Sequence, residues 1–421
     1  MQARKGLTAS ELLLTFGFLA FFIPASYALP AIVYNLWEWY YMGVALIVVA
    51  VLFFTHFKDI NTRYVLWVLY FTWVIFGTQL FALTHTVVWQ ALLKRYLRCI
   101  GFISLLEVGF LSCPKKTVAK SFLNVGLFMS FLHFATFLIY GRLDGGMRHG
   151  ESYRVGNIFV RNASQNWYFL TYDNASIFYF LPILALLLYY VWYHNPKMKK
   201  LFYFYLGFLL FMFIYKVAAT ALVGMLMFTI IILYYIAKMK RKRKKNMWKI
   251  SSVLNYGTAC LAGWAFDVGI VMIVGSDWLE NIVGKFGKNA SFSGRDYIWA
   301  KSLEIIRQHW LTGIGIESEL TTTIRIGQTH CHNVFVENLY GGGVISLVMF
   351  LLIVWLFRPK VKNSFASIIF SVAILTYWVI SGLDWLQTAP ISLSLFYFSY
   401  YLSDRKEETW GLLKRGLRTY S

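Results

Sequence analysis

Charge is what this chain has least of. Only 14% of its 421 residues are Asp, Glu, Lys or Arg, against about a quarter in a soluble domain, so a water-soluble globular fold is excluded. Acidic groups are scarcer still, 19 against 40 Lys and Arg, which leaves a formal net charge of +21. Most of the basic residues punctuate apolar runs instead of gathering on a polar face. The excess therefore reads as membrane topology, and no nucleic-acid partner is expected. Cys99, Cys113, Cys260 and Cys331 are scattered and form no CxxC pair, which leaves neither a disulfide framework nor a zinc ribbon.

Apolar matter fills the space that charge vacates. Hydrophobic residues make up 58% of the chain and the mean hydropathy is +0.57. A spanning helix takes about 20 apolar residues, so about twelve spans would use roughly 240 positions, the right share of this length. Apolar runs fall at roughly 11–33, 38–57, 64–83, 96–113, 119–140, 171–193, 201–216, 219–237, 253–275, 341–357, 364–382 and 386–402. The expected fold is an all-α polytopic membrane protein forming one transmembrane domain over 1–421. With 28 Tyr and 16 Trp, its amphipathic rings are expected at the headgroup boundary. Residues 1–28 loosely mimic a cleavable signal, but the many spans that follow favour an uncleaved first helix.

Lys and Arg cluster in alternate connections: Arg4 and Lys5, Lys58 and Arg63, Lys115 and Lys116, Lys197 to Lys200, the basic loop at about 238–249, Arg358 to Lys362, and the C-terminal tail. Those connections, and both ends of the chain, are expected in the cytoplasm. Two sizeable outer segments result, at about 141–170 and 276–340. They keep Arg142, Arg148, Arg154, Arg161, Lys285, Lys288, Arg295, Arg307 and Arg325 where topology disfavours positive charge, which points to an anionic ligand.

In the larger segment, Ser293-Gly294-Arg295-Asp296 reads as a capping box that starts a helix. Trp299, Leu303, Ile306 and Trp310 then give that helix one apolar stripe. Arg295 sits in its first turn, where unpaired amides, the helix dipole and a guanidinium fork together suit a diphosphate, although a salt bridge to Asp296 would use the same residues. Further on, His330 and His332 flank Cys331. An i, i+2 pair with no second pair nearby makes a poor tetrahedral site, so no metal is expected. By itself His332 reads as the cap of a short helix. Glu107 and Asp267 fall inside apolar runs, where ionisable groups are costly, and both could pair with a base such as Arg98.

The order of these features resembles the O-antigen ligase and polymerase superfamily. The matching residues are Arg295, Trp299, Gly313, Gly315, His332, Asn333, Glu337 and Gly343, over about 55 positions. An earlier element, Tyr153-Arg154-Val155-Gly156-Asn157, resembles the family's second arginine site, with Arg161 close by, and lacks the Asn-Pro-Asn ending. Lys216 and Thr220 stand where the family has Ser or Thr with Arg. The resemblance implies a metal-independent, inverting membrane glycosyltransferase with no cofactor. In it, His332, Arg295 and Arg154 are catalytic, and Asn333, Arg161, Glu337 and Lys216 bind substrate. The implied substrates are undecaprenyl-diphosphate-linked glycans, polymerised into capsular or exopolysaccharide or O-antigen at the outer face of the cytoplasmic membrane, with a chain-length regulator and a flippase as possible partners. Alternatives are a ligase that passes glycan to lipid A core or protein, and a transporter of the same lipid-linked sugars. The charge pattern gives a direct test. Topology reporters fused after Asn246 and after the C-terminal tail are expected to report cytoplasm, and fusions near Gly146 and Gly327 the outside; a cytoplasmic signal at Gly327 would remove the outer loop from any chemistry there.

Overall fold

A chain that crosses lipid must satisfy its backbone N–H and C=O groups within each segment, so long apolar runs become helices. The computed structural model describes residues 8–26, 28–143, 146–147, 152–155, 158–161, 166–241, 255–274, 276, 294–361, 364–383 and 390–403. Its helices are α1 (Ala9–Phe21), α2 (Ala31–His56), α3 (Thr62–Ile75), α4 (Trp89–Ser112), α5 (Lys115–Tyr140), α6 (Ile177–Tyr193), α7 (Lys199–Tyr215) and α8 (Ala219–Arg241). They continue as α9 (Tyr256–Ile273), α10 (Arg295–Gln308), α11 (Glu319–Ile326), α12 (Val334–Leu356), α13 (Phe365–Leu383) and α14 (Ser394–Leu402). A two-stranded antiparallel hairpin, β1 (Ser152–Val155) and β2 (Ile158–Arg161), interrupts the helical order.

Among the described residues, 9 helices are long and apolar enough to cross a membrane: α2, α3, α5 to α9, α12 and α13. The chain is thus an integral membrane protein of all-α type. Three of the twelve expected runs fall short of that standard. The run at 11–33 divides, because α1 stops after 13 residues ahead of Pro24 and a new helix starts after Pro30. The run at 96–113 lies within α4, whose first turns carry Lys94, Arg95 and Arg98. The run at 386–402 folds as a 3-10 turn at Pro390–Leu393 and the 9-residue α14.

α2 packs on α4, α1 on α5, α3 on α4 and α12, and α13 on α9, α8 and α6. α6 and α13 lie deepest, almost wholly enclosed by protein, whereas α2 has most of its apolar surface outward. Many aromatic rings sit in this core: Trp67, Trp378, Tyr377 and Tyr397 are fully buried. Trp67 stacks on Phe71 at 5.4 Å and Phe110 on Tyr401 at 4.3 Å. Helix pairing in lipid has little hydrophobic drive of its own, and such dense contacts supply dispersion instead.

A second, smaller core stands on one end of the bundle. It joins Ile298, Trp299 and Ile306 of α10 to Ile314, Ile326, Cys331, Val336 and Tyr340. α10 begins at Arg295 as expected, but its cap differs. Gly294 holds the N-cap at φ 85° with no side-chain cap bond, and Ser293 lies outside the described residues. The apolar stripe also differs at its end: the helix stops at Gln308, and Trp310 is 57% exposed, while Ile298 and Ser302 complete the buried face.

α12 is two helices in one, broken at Gly343 (φ 66°, ψ −169°). The segment before α11 lies along the break, with Ile314 N–H donating to the Tyr340 carbonyl (2.9 Å), Gly315 N–H to Gly341 (3.0 Å) and Val344 N–H to Trp310 (2.8 Å). Gly313 (φ 68°) touches the Gly341 backbone, and a Cβ on Gly343 would overlap the Leu311 carbonyl. Two backbones this close leave no room for side chains. Gly343→Ala is accordingly expected to cost about 3 kcal/mol, from left-handed strain plus backbone displacement. A clear drop in melting temperature of the detergent-purified protein would show it, and an unchanged melt would refute the seam.

Candidate active site

An open cavity of about 580 Å³ lies at the end of the bundle that carries the smaller core. Its lining comes from the α1–α2 connection, the start of α4, the stretch before α6, and residues 315–346. Lys58, Lys115, Lys116, Lys197, Lys199, Lys200 and Arg358 all fall in the alternate connections, away from that end.

α4 gives the cavity a basic wall. Arg95 and Arg98, three residues apart, share one helix face and both line the space. The Arg98 guanidinium meets the Tyr179 hydroxyl. Arg95 makes no hydrogen bond or ion pair to the described residues, although it feels the charges of Glu337, Glu319 and Arg98. A guanidinium held at the mouth of an apolar bundle without an ion-pair partner is an open anion site. The aromatic pair Trp167 and Tyr172, at 5.0 Å, adds a ring surface to the same cavity.

The loop at 329–333 faces this space and is fixed from several directions. Trp299 Nε1–H donates to the Cys331 carbonyl (2.7 Å), and Cys331 N–H donates to Glu337 Oε2 (2.7 Å). Ser302 Oγ lies 3.4 Å from Cys331 Sγ. So tied, the chain carries His332 at φ 53°, one of two non-glycine residues with positive φ among those described. Its ring meets that of His330 at 3.9 Å, and both rings line the cavity. Strain of this sort persists where surrounding structure over-determines it, commonly at functional groups.

Asn333, not His332, caps α12, accepting from Phe335 and Val336 N–H. Its amide also donates to the carbonyls of Asp267 and Gly382, both at 3.1 Å. It is fully buried, so the structure gives it an anchoring position where sequence reading gave it a sugar or an imidazole. Glu337 lines the cavity while holding Cys331. Arg295 is half-buried in the first turn of α10 and is not among the residues lining the cavity. Arg154 and Arg161 lie on the hairpin, paired in register with Phe159 and Ser152. Arg148, Lys285 and Lys288 fall outside the described residues. Lys216 ends α7 and donates to Asn166 Oδ1 (3.2 Å), behind the Trp167 wall. Beside it, burial raises the Asp173 carboxyl above its ordinary range, opposed by hydrogen bonds from Asn166 and Asn174. Thr220 is buried. Glu107 pairs with Asn61 and Tyr401 and not with Arg98. Both carboxyl oxygens of Asp267, whose backbone carbonyl accepts from Asn333, are buried without a hydrogen-bond partner among the described residues. Among the described residues no group of three His, Cys, Asp or Glu could hold a metal.

Sequence reasoning missed Arg95 and Arg98. The available signal was a pair of arginines at i, i+3 cutting into an apolar run, where charge is costly enough to need a purpose.

The fold and site define a polytopic helical membrane protein with a charged, histidine-bearing cavity at one end. Residues 167–351 match the family model described as O-Antigen ligase. A segment of 95 residues is 27% identical to the exopolysaccharide production protein ExoQ of Rhizobium meliloti (strain 1021), covering 20% of this chain and 22% of that relative. The chain therefore spans only about a fifth of the length of the curated relative it matches. No solved structure matches. Both matches support the O-antigen ligase and polymerase superfamily that the loop residues resemble.

Burial, and then the Glu337 charge, raise the Cys331 thiol well above its ordinary range. Its thiolate fraction is thus lower than a free thiol's at every pH below the folded value, and the sulfur is inaccessible. N-ethylmaleimide at pH 8 is expected to leave Cys331 unmodified in the folded protein and to modify it on unfolding. Rapid native labelling, read by mass spectrometry, would contradict the clamp on this loop.

Proposed function

We propose that this chain is a membrane glycosyltransferase of the O-antigen polymerase and ligase type. It joins undecaprenyl-diphosphate-linked repeat units into a polysaccharide at the outer face of the cytoplasmic membrane. The observation that carries the reading is the shared cavity: two α4 guanidiniums and the strained His332 imidazole border one space.

In the reaction, the acceptor hydroxyl oxygen bonds to the donor's anomeric carbon from the face opposite the diphosphate. The carbon–oxygen bond to the diphosphate breaks, and its electron pair leaves with that oxygen. The hydroxyl proton passes to a neutral His332 ring nitrogen, a transfer suited to imidazole near neutral pH. Arg95 and Arg98 stabilise the departing diphosphate, the role sequence reading gave to Arg295 and Arg154, so charge accumulates where fixed positive groups already stand. The inverted configuration follows from the direction of attack.

With purified lipid-linked repeat units, His332→Ala is expected to lose about 100- to 10,000-fold of the rate, and His330→Ala much less. His332→Gly should be as inactive yet melt no lower than the parent, because glycine relieves the positive φ. Arg95→Lys should fall well below Arg295→Lys in activity, since the guanidinium fork is lost at the cavity wall. Full activity of His332→Ala, or equal loss in both histidine variants, would refute the assignment. Ladders of product identify a polymerase, and single additions to another acceptor identify a ligase.

A further inference from the structure

The cavity has a second wall that the donor does not use. Residues 315–332 contribute Glu317, Glu319, Thr322, Gln328, Thr329 and His330 to it. Their engagements differ. Glu317 accepts from Arg325 Nε (2.9 Å), Thr84 Oγ1 (3.0 Å) and the Tyr340 hydroxyl (3.2 Å), so its carboxylate is committed. Thr322 Oγ1 donates to the Ser318 carbonyl. Glu319 and Gln328 are exposed, and neither side chain makes a hydrogen bond or ion pair to the described residues.

α11 sets their spacing. Ser318 caps its start by accepting from Thr321 N–H, which puts Glu319 in the first turn, where the helix dipole favours a carboxylate. Gly327 ends it at φ 82° and turns Gln328 back into the cavity. The 8 residues of α11 span about 12 Å. Glu319 opens this helix and Gln328 follows its end, so the two groups are placed to meet different rings of an oligosaccharide. From Gln328 the wall runs on through Thr329 and His330 to His332.

We propose that Glu319 and Gln328 form the acceptor subsite, holding the hydroxyls of a carbohydrate chain whose end reaches His332. This rests on the glycosyltransferase reading above. Carboxylate and amide side chains match sugar hydroxyls as acceptor and as donor-acceptor. The open charge on this wall is negative, since Glu317 is paired with Arg325. The acceptor it fits carries no carboxylate on the rings it meets, because a uronate would face Glu319 with like charge.

The test uses full-length purified enzyme, with a lipid-linked donor and a separate soluble oligosaccharide acceptor of uncharged sugars. Glu319→Gln is expected to raise the acceptor KM about tenfold, the loss of one charge-assisted hydrogen bond, and to shift the donor KM far less, since Glu319 reaches Arg95 only through its charge. Gln328→Ala should raise the acceptor KM by a smaller factor. Glu319→Gln should also narrow the preference for neutral over uronate-bearing acceptors. An unchanged acceptor KM in both variants, or an equal rise in donor KM, overturns the subsite. If Arg95→Ala and His332→Ala abolish turnover while Glu319→Gln behaves as the parent, only this subsite fails. Undiminished turnover in His332→Ala overturns the catalytic reading and the subsite with it.

Discussion

The seam between residues 310–315 and the broken helix α12 is the contact on which the cavity depends. Four backbone hydrogen bonds cross it, and Gly313 and Gly343 allow the two stretches of chain to meet without side chains between them. A continuous α12 would satisfy its own amides and leave residues 310–316 nothing to pair with. The break turns Tyr340 and Gly341 carbonyls outward as acceptors. Irregular backbone at a helix break is tolerated where protein encloses it or where it borders an aqueous space, and both conditions hold here. The half-helix it creates carries Glu337 and Asn338 to the cavity.

From that seam the histidine loop inherits its shape. Asn333 closes the first turn of α12 and ties it to α9 and α13 through two carbonyls, while Trp299 and Glu337 hold Cys331 on either side of its peptide. With both neighbours fixed, His332 has little conformational freedom and adopts a backbone angle that is costly for a side chain of its size. A residue so placed reaches the cavity already oriented, which favours chemistry that depends on a fixed proton acceptor.

Electrostatic contrast then divides the cavity. Arg95 and Arg98 bring positive charge from α4, and Glu317, Glu319 and Glu337 bring negative charge from the segment around α11 and α12. Most of the carboxylates are engaged by protein donors, whereas Arg95 has no acceptor among the described residues. An open guanidinium and an open carboxylate select ligands by the sign of their charge. A donor that is anionic at its leaving group and an acceptor that is neutral would sort themselves between such walls.

Much of this was legible in the sequence, for reasons that are local. Long uncharged runs must become helices, so the spans, their alternation and the membrane setting followed from hydropathy. The start of α10 at Arg295 was legible through a cap read at Ser293, where Gly294 holds the N-cap, and Asn333 caps α12 where the sequence offered His332. Gly313, Gly315 and Gly343 stood out in the sequence only through the family resemblance, and their close backbone approach came from the structure. The three shortened spans were not legible, because a run's length does not reveal where Pro24 and Pro30 divide it or that Arg95 and Arg98 belong to a cavity. Which arginines share a space with His332 is a matter of α4 meeting a loop more than 200 positions away. Sequence determined that charge is retained at this end of the protein, since each charged group must leave lipid or find a use. Only the tertiary structure decided that Arg95 and Arg98, and not Arg295, border the cavity, and that Asn333 is an anchor, because those roles depend on contacts between distant helices that no local pattern encodes.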